Sequence, residues 1–199
     1  MAGEERVGAW FVANWPRVGL VCAPVTLTLL AALWSAETAP VVLAASLLPV
    51  YMLHQYEEHG HGRFIAWFDA TVGGGLPVLT GVSAFWINVL GVWVLSLAAL
   101  LLARFAWPGF LLVPAWLALV NGAIHVGGAL RERAGNPGLA TAALLFLPWG
   151  GAVAVILSRR LADPLPANAV AALVAVAAHA AILVFALRKK RALVARAAR

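Results

Sequence analysis

The residues best suited to chemistry lie in one short stretch, from His54 to His61. It reads His-Gln-Tyr-Glu-Glu-His-Gly-His, so it holds three of the five histidines and two of the eight acids in the chain. The stretch ends a long apolar run, and an ionisable side chain at membrane depth is costly unless it is paired, hydrated or metal-bound. Such a concentration of ionisable groups predicts a functional site.

Helical geometry selects four of these side chains. At about 100° per residue, they share one stripe of a helix about 100° wide. The four are His54, Glu57, Glu58 and His61. His59 falls on the other side of the helix, and we expect it to be solvated at the membrane interface. Imidazoles and carboxylates are ligands for first-row metals, and they also suit a proton relay.

A second apolar stretch supplies the partner that one helix lacks. Asn121 and His125 lie one helical turn apart on it, and polar side chains in such a span need partners inside the bundle. We expect His125 to join His54, Glu57 and Glu58 as a metal ligand, with His61 as a further one. Asn121 is expected to orient a ligand or to bind the polar group of a substrate.

The rest of the composition narrows the kind of metal. The chain has a single cysteine, which excludes thiolate zinc sites and iron–sulfur clusters. No His-Glu-x-x-His sequence is present, so the zincin type of protease is excluded. A divalent zinc, iron or manganese ion remains, and if the site works by acid/base chemistry alone it needs no cofactor.

The elements that must position these residues are membrane-spanning helices. The chain is 63% hydrophobic and only 11% charged, and several windows reach the roughly 18–20 apolar residues that span a bilayer. We predict an all-α, polytopic transmembrane bundle of about six spans (five to seven), forming one domain over residues 1–187, with a basic tail over 188–199. The predicted spans are Val18–Trp34, Pro40–Glu58, Phe85–Trp107, Leu111–Leu130, Gly138–Leu157 and Ala167–Leu187.

The basic residues predict the orientation of the bundle. With both termini in the cytoplasm, eleven Lys and Arg residues lie inside and three outside, as the positive-inside rule requires. The His-Glu cluster then lies toward the cytoplasmic end of the second span. The net charge of +6 is explained by these loops and the tail, so membrane lipids are the expected partners and nucleic acid is not.

Several other features leave two interpretations open. Residues 62–84 are too broken by glycine to form an ideal span, and they are either a re-entrant lid over the site or a mobile surface loop. His179 is alone in the sixth span. It either bonds a backbone carbonyl, or supports a metal ligand from behind or lies on a proton path. Trp86 and Trp93 either line an apolar substrate pocket or anchor the protein at the interface.

Three blocks of the sequence resemble a known family. His54-x-x-Glu57-Glu58, Asn121-x-x-x-His125 and Asn136-Pro137-Gly138 are similar to the bacterial integral membrane proteins named for an HXXEE motif. The resemblance runs from about Leu47 to Pro148. It implies a multi-span protein of the bacterial inner membrane with shared residues in the first two blocks, and it implies no particular reaction.

Three functions fit these patterns. The leading hypothesis is a membrane-embedded metal-dependent enzyme with a site between spans two and four, acting on a lipid-like or isoprenoid substrate through His54, Glu57 and Glu58. The first alternative is a metal-free acid/base isomerase or cyclase of an isoprenoid or sterol, and the second is a metal or proton carrier. The sequence names neither the substrate nor the metal. It is compatible with a monomer and with a homo-oligomer.

Overall fold

The computed structural model describes residues 2–198, and the side chains of residues 8–198. Arg199 of the predicted tail and the side chain of Arg6 therefore lie outside the described residues. Within them the chain is helical, without a strand. Its helices are α1 (Ala2–Ala32), α2 (Ala39–His59), α3 (Arg63–Thr71), α4 (Gly81–Phe105), α5 (Pro108–Glu132), α6 (Leu139–Ser158) and α7 (Pro164–Ala197). All except α3 are long and apolar enough to cross a membrane, so the prediction of a six-span helical bundle is confirmed.

Proline marks the start of three of the long helices. Pro40, Pro108 and Pro164 each stand in the first turn of α2, α5 and α7 respectively. Proline is favoured there because the missing N–H has no partner inside a helix and because its fixed φ suits a first turn. These residues therefore set where three spans begin.

Helix α2 is the centre of the bundle. In its most apolar window 72% of the residues are buried, against 11% in the corresponding window of α4. It packs against α1, α4, α5 and α6, and Leu47 and Tyr51 form the middle of the core with Phe146 of α6. The helix that carries the HXXEE motif is thus the one most enclosed by the others.

Two of the spanning helices contain wide π-helical turns. They are Val89–Val94 in α4 and Ala142–Gly150 in α6. The second contains Pro148, which cannot donate to the ordinary ladder of a helix. Such turns are frequent at functional sites, and both lie in helices that pack against α2.

The structure differs most from the predicted boundaries at three places. Helix α1 begins at Ala2, far ahead of the predicted start at Val18. Helix α7 does not stop at Leu187 but continues without a break to Ala197, so the basic tail is an extension of the last span. Residues 62–84 do not form one segment: the short helix α3 is followed by a loop in which Gly74 and Gly75 have positive φ values of 65° and 85°, and α4 already begins at Gly81. The loop is tied down because the Asp69 carboxylate accepts a hydrogen bond from the Leu79 N–H at 2.9 Å.

Candidate metal centre

The last two turns of α2 place two side chains of the motif in the interior. His54 and Glu58 are one helical turn apart and are only 0% and 5% exposed. The His54 Nε2 atom lies 3.5 Å from Glu58 Oε2, beyond ordinary hydrogen-bond length, and it is buried without a hydrogen-bond partner. An orphaned ring nitrogen beside a carboxylate is uncommon in a folded protein.

Helix α5 brings His125 to the same carboxylate. The His125 side chain is buried, and its Nε2 atom lies 3.0 Å from Glu58 Oε1. The two imidazole rings are edge to face, with centroids 4.9 Å apart. His54, Glu58 and His125 each offer a ligand atom, and these atoms lie within 4.8 Å of one another, so this group can hold a metal ion.

Asn136 fixes the orientation of the His125 ring. Its Nδ2 amide donates to the backbone carbonyl of His125 at 2.9 Å, which leaves Oδ1 facing His125 Nδ1 at 2.7 Å. An amide oxygen only accepts hydrogen bonds, so the proton of this contact belongs to Nδ1. The lone pair of a neutral His125 ring therefore sits on Nε2, the atom that faces Glu58.

Thr141 and Glu57 fix the protonated nitrogen of the His54 ring at Nδ1, as Asn136 does for His125. The Glu57 carboxylate accepts hydrogen bonds from the N–H groups of Ala140 (3.1 Å) and Thr141 (2.7 Å) and from the Thr141 hydroxyl (2.5 Å). The hydroxyl has one proton and gives it to Glu57, so its oxygen accepts from His54 Nδ1 at 2.7 Å. The free lone pair of His54 is then on Nε2 as well.

Gly138 lets the backbone before α6 lie directly on the three side chains. A Cβ atom at this position would stand 2.7 Å from His54 Cε1, 2.8 Å from Glu58 Cγ and 2.8 Å from His125 Cε1. The φ angle of Gly138 is also +96°, a conformation that side-chain-bearing residues rarely adopt. Space and backbone conformation both require glycine here.

His59 occupies a different place from the one expected for it. Its side chain is 6% exposed and its Nε2 atom lies 3.6 Å from Glu58 Oε2. The far side of α2 is covered rather than solvated, because Trp15 of α1 and Phe64 of α3 pack on the His59 ring at 5.1 and 4.8 Å between centroids. The Phe64 ring also lies 6.5 Å from His125, so α3 covers the cluster.

The remaining predicted site residues lie apart from the three clustered side chains. Glu57, expected as a ligand, instead binds the first turn of α6. His61 lies beyond the end of α2, exposed and next to Tyr56. His179 bonds the carbonyl of Ala175 in its own helix at 2.8 Å.

Asn121 and the two tryptophans also surround rather than form the cluster. Asn121 Oδ1 is buried without a hydrogen-bond partner, as is the hydroxyl of Tyr51. Trp93 donates to Gln55 Oε1 at 2.8 Å, which ties α4 to α2. Trp86 is half exposed and packs on its neighbour Phe85.

Sequence reasoning missed the roles of Asn136, Gly138 and Thr141. The first two were noticed only as part of a resemblance, and Thr141 not at all. One available signal was topology, because an antiparallel bundle places the start of the fifth span at the same membrane face as the end of the second. Polar residues at that start were therefore within reach of the motif.

Comparison with known proteins identifies the region that carries the site. A family model described as "Protein of unknown function with HXXEE motif" matches residues 45–153. This range runs from α2 to α6. It contains the three clustered side chains and the residues that hydrogen-bond to them. No curated protein and no solved structure matches the chain.

Proposed function

This chain belongs to the HXXEE-motif family, and we propose that it is a membrane-embedded, metal-dependent enzyme acting on a lipid-like or isoprenoid substrate. The observation that carries the proposal is the convergence of two imidazole Nε2 atoms on one buried carboxylate. Both Nδ1 atoms are held by separate hydrogen bonds, so both Nε2 lone pairs are free, and each Nε2 atom faces an oxygen of Glu58.

The spacing of these atoms suits a first-row metal ion. Ligand atoms about 2.0–2.2 Å from a shared ion lie roughly 3.0–3.5 Å from one another. Glu58 Oε1 lies 3.0 Å from His125 Nε2 and Glu58 Oε2 lies 3.5 Å from His54 Nε2, and one ligand atom from each of the three residues lies within 4.8 Å of the other two. Histidines that bind metal usually donate their other N–H to a carboxylate, a carbonyl or a similar acceptor, and that arrangement is present at both histidines.

Two histidines and one carboxylate are the ligand set of catalytic zinc and non-haem iron sites. Three protein ligands leave coordination positions open for substrate or water. A bound ion would act as a Lewis acid and could activate a water molecule for attack. His54, Glu58 and His125 would hold the ion. Glu57 orients His54 through Thr141, and His59 lies beside Glu58 Oε2, where it can accept or return a proton.

The substrate class follows from the surroundings of the site. The cluster lies between helices whose outer faces are apolar, and Phe64, Phe146 and Trp15 surround its histidines. A molecule that reaches it through the bundle from the bilayer must itself be largely apolar. This supports a lipid-like or isoprenoid substrate.

Elemental analysis of the purified protein tests the proposal. We expect about one equivalent of zinc, iron or manganese, as one group of three ligands holds one ion. His54→Ala and Glu58→Ala should lose it. Glu132→Ala is the matched control that should retain it, because Glu132 is an exposed acid at the end of α5. The proposal is overturned if wild-type protein from cultures supplied with each ion contains no metal, while its circular dichroism spectrum shows that it is folded.

A metal-free acid/base isomerase or cyclase is the second candidate, and one contact favours it. The 3.0 Å separation of His125 Nε2 and Glu58 Oε1 is also that of a direct hydrogen bond with a shared proton. Such a pair can protonate an isoprenoid double bond. Folded, active and metal-free protein would select this candidate.

A further inference from the structure

A cavity of about 480 Å³ lies beside the metal-capable group, between α1, the end of α2, α3 and the start of α4. Its volume falls within the usual range for small-molecule sites. His59 lines the cavity, and the same imidazole lies 3.6 Å from Glu58 Oε2. The cavity therefore shares a wall with the candidate metal centre.

The walls of the cavity combine apolar surface with positive charge. Val12, Trp15 and Ile65 provide apolar surface, whereas Arg17 and His61 provide cationic or hydrogen-bonding groups. None of the described residues that line it is an acid. Among the residues whose side chains are described, Arg17 donates a hydrogen bond to the neutral Asn14 Oδ1 at 3.0 Å and pairs with no acid, so its charge is available to a ligand.

The start of α4 adds to this positive character. Gly81, the first residue of α4, lines the cavity, and the N-terminal end of a helix carries partial positive charge. A guanidinium group pairs well with phosphate or carboxylate oxygens. The charged and apolar walls together match a molecule with an anionic headgroup and a hydrocarbon chain.

We propose that this cavity binds a single-chain anionic amphiphile, with its phosphate or carboxylate headgroup at Arg17 and its chain along Trp15 and Ile65. The inference rests on the proposed function in one respect: the bound amphiphile is the substrate, held beside His59. It also assigns a role to α1, which lies outside the matched range of the family.

Binding to the full-length protein in neutral detergent tests this assignment, with dodecyl phosphate, dodecanol and inorganic phosphate as probes in native mass spectrometry. Dodecyl phosphate should bind more tightly than either of the others. Arg17→Gln should weaken it about 10- to 100-fold, the value of a hydrogen bond to a charged group. Arg160→Gln, in the exposed turn before α7, is the matched control and should bind normally.

A second variant keeps the test independent of the arginine. Ala13→Trp fills the cavity and should also prevent binding of dodecyl phosphate. Equal binding of dodecanol, equal binding of inorganic phosphate, or undiminished binding by both variants would each overturn the assignment.

Metal content measured on the same samples separates the two proposals. Arg17→Gln should keep its metal while losing the amphiphile. Dodecyl phosphate bound to a protein without metal would sink the metal-dependent function but leave the binding site standing. Metal without amphiphile binding would do the reverse.

Discussion

His54 and His125 are oriented by different hydrogen-bond partners, and in both rings the unprotonated nitrogen is Nε2. The outer nitrogen of His125 donates to the Asn136 amide oxygen, and that of His54 donates to the Thr141 hydroxyl. In each case a second hydrogen bond made by the partner residue fixes which atom donates to which. Asn136 donates its amide N–H to the His125 carbonyl, and Thr141 donates its hydroxyl proton to the Glu57 carboxylate. The two carboxylates of the motif thus have separate tasks, Glu58 at the cluster and Glu57 behind His54.

Removal of the Thr141 hydroxyl tests the hydrogen bond that orients His54. Thr141→Val should lower metal affinity by about 10- to 100-fold, the usual effect of losing an outer hydrogen bond to a ligating histidine. Thr141→Ser keeps the hydroxyl and should bind metal nearly as wild type. Titration with a competing chelator measures both affinities.

Thr28→Val is the matched control for that experiment. The Thr28 hydroxyl bonds the carbonyl of Pro24 within α1, away from the cluster. If Thr28→Val and Thr141→Val weaken metal binding equally, Thr141 has no specific role at His54.

At the scale of elements, the turn that enters α6 closes the site against α2 and α5. Gly138 brings its backbone onto all three side chains, and the first turn of α6 donates to Glu57. On another side, α3 places Phe64 over His59 and His125. The cluster is therefore built from one turn of α2, one residue of α5 and two covering segments.

Gly138→Ala should abolish metal binding while leaving the bundle helical. The new methyl group overlaps the ligand side chains, and the positive φ adds strain of about 1–3 kcal/mol. Gly127→Ala is the control, because a Cβ there meets nothing within 4 Å. Metal content and circular dichroism measure the two effects, and a Gly138→Ala protein with full metal content would contradict the geometry.

Phe64→Ala should open the site without removing a ligand. We expect faster loss of metal to an added chelator, measured by stopped flow, and an unchanged amount of metal bound at the start. Phe68→Ala removes a neighbouring ring of the same helix that contacts Phe64 and should have a smaller effect. Equal rates in wild type and Phe64→Ala would show that α3 does not limit access.

At the scale of the whole molecule, the site belongs to one end of the bundle. The end of α2, the start of α6 and the short helix α3 meet there, and the basic extension of α7 reaches the same end, where Lys190 Nζ donates to the Val72 carbonyl at 3.3 Å. The distribution of Lys and Arg predicts that this end faces the cytoplasm.

Cysteine labelling tests this orientation. In a Cys22→Ser background, Arg160→Cys should react with an impermeant maleimide in intact spheroplasts, because the turn between α6 and α7 is predicted to be outside. Arg196→Cys should react only after the membrane is permeabilised. The opposite pattern would place the site at the outer face.

The sequence by itself determined the six spans and a set of candidate ligands that included His54, Glu58 and His125, but helical phase did not separate Glu57 and His61 from that set. Hydropathy depends on composition along the chain, and helical phase relates residues of one helix, so neither needs tertiary contacts. The tertiary structure decided the rest: Thr141 meets His54 and Glu57 across separations of 87 and 84 residues, and no periodicity within a helix reports such contacts. The tertiary structure also decided where the two histidines at the end of α2 lie. His59 is buried because α1 and α3 cover the side that phase alone leaves open, and His61 is outside because the helix ends at His59.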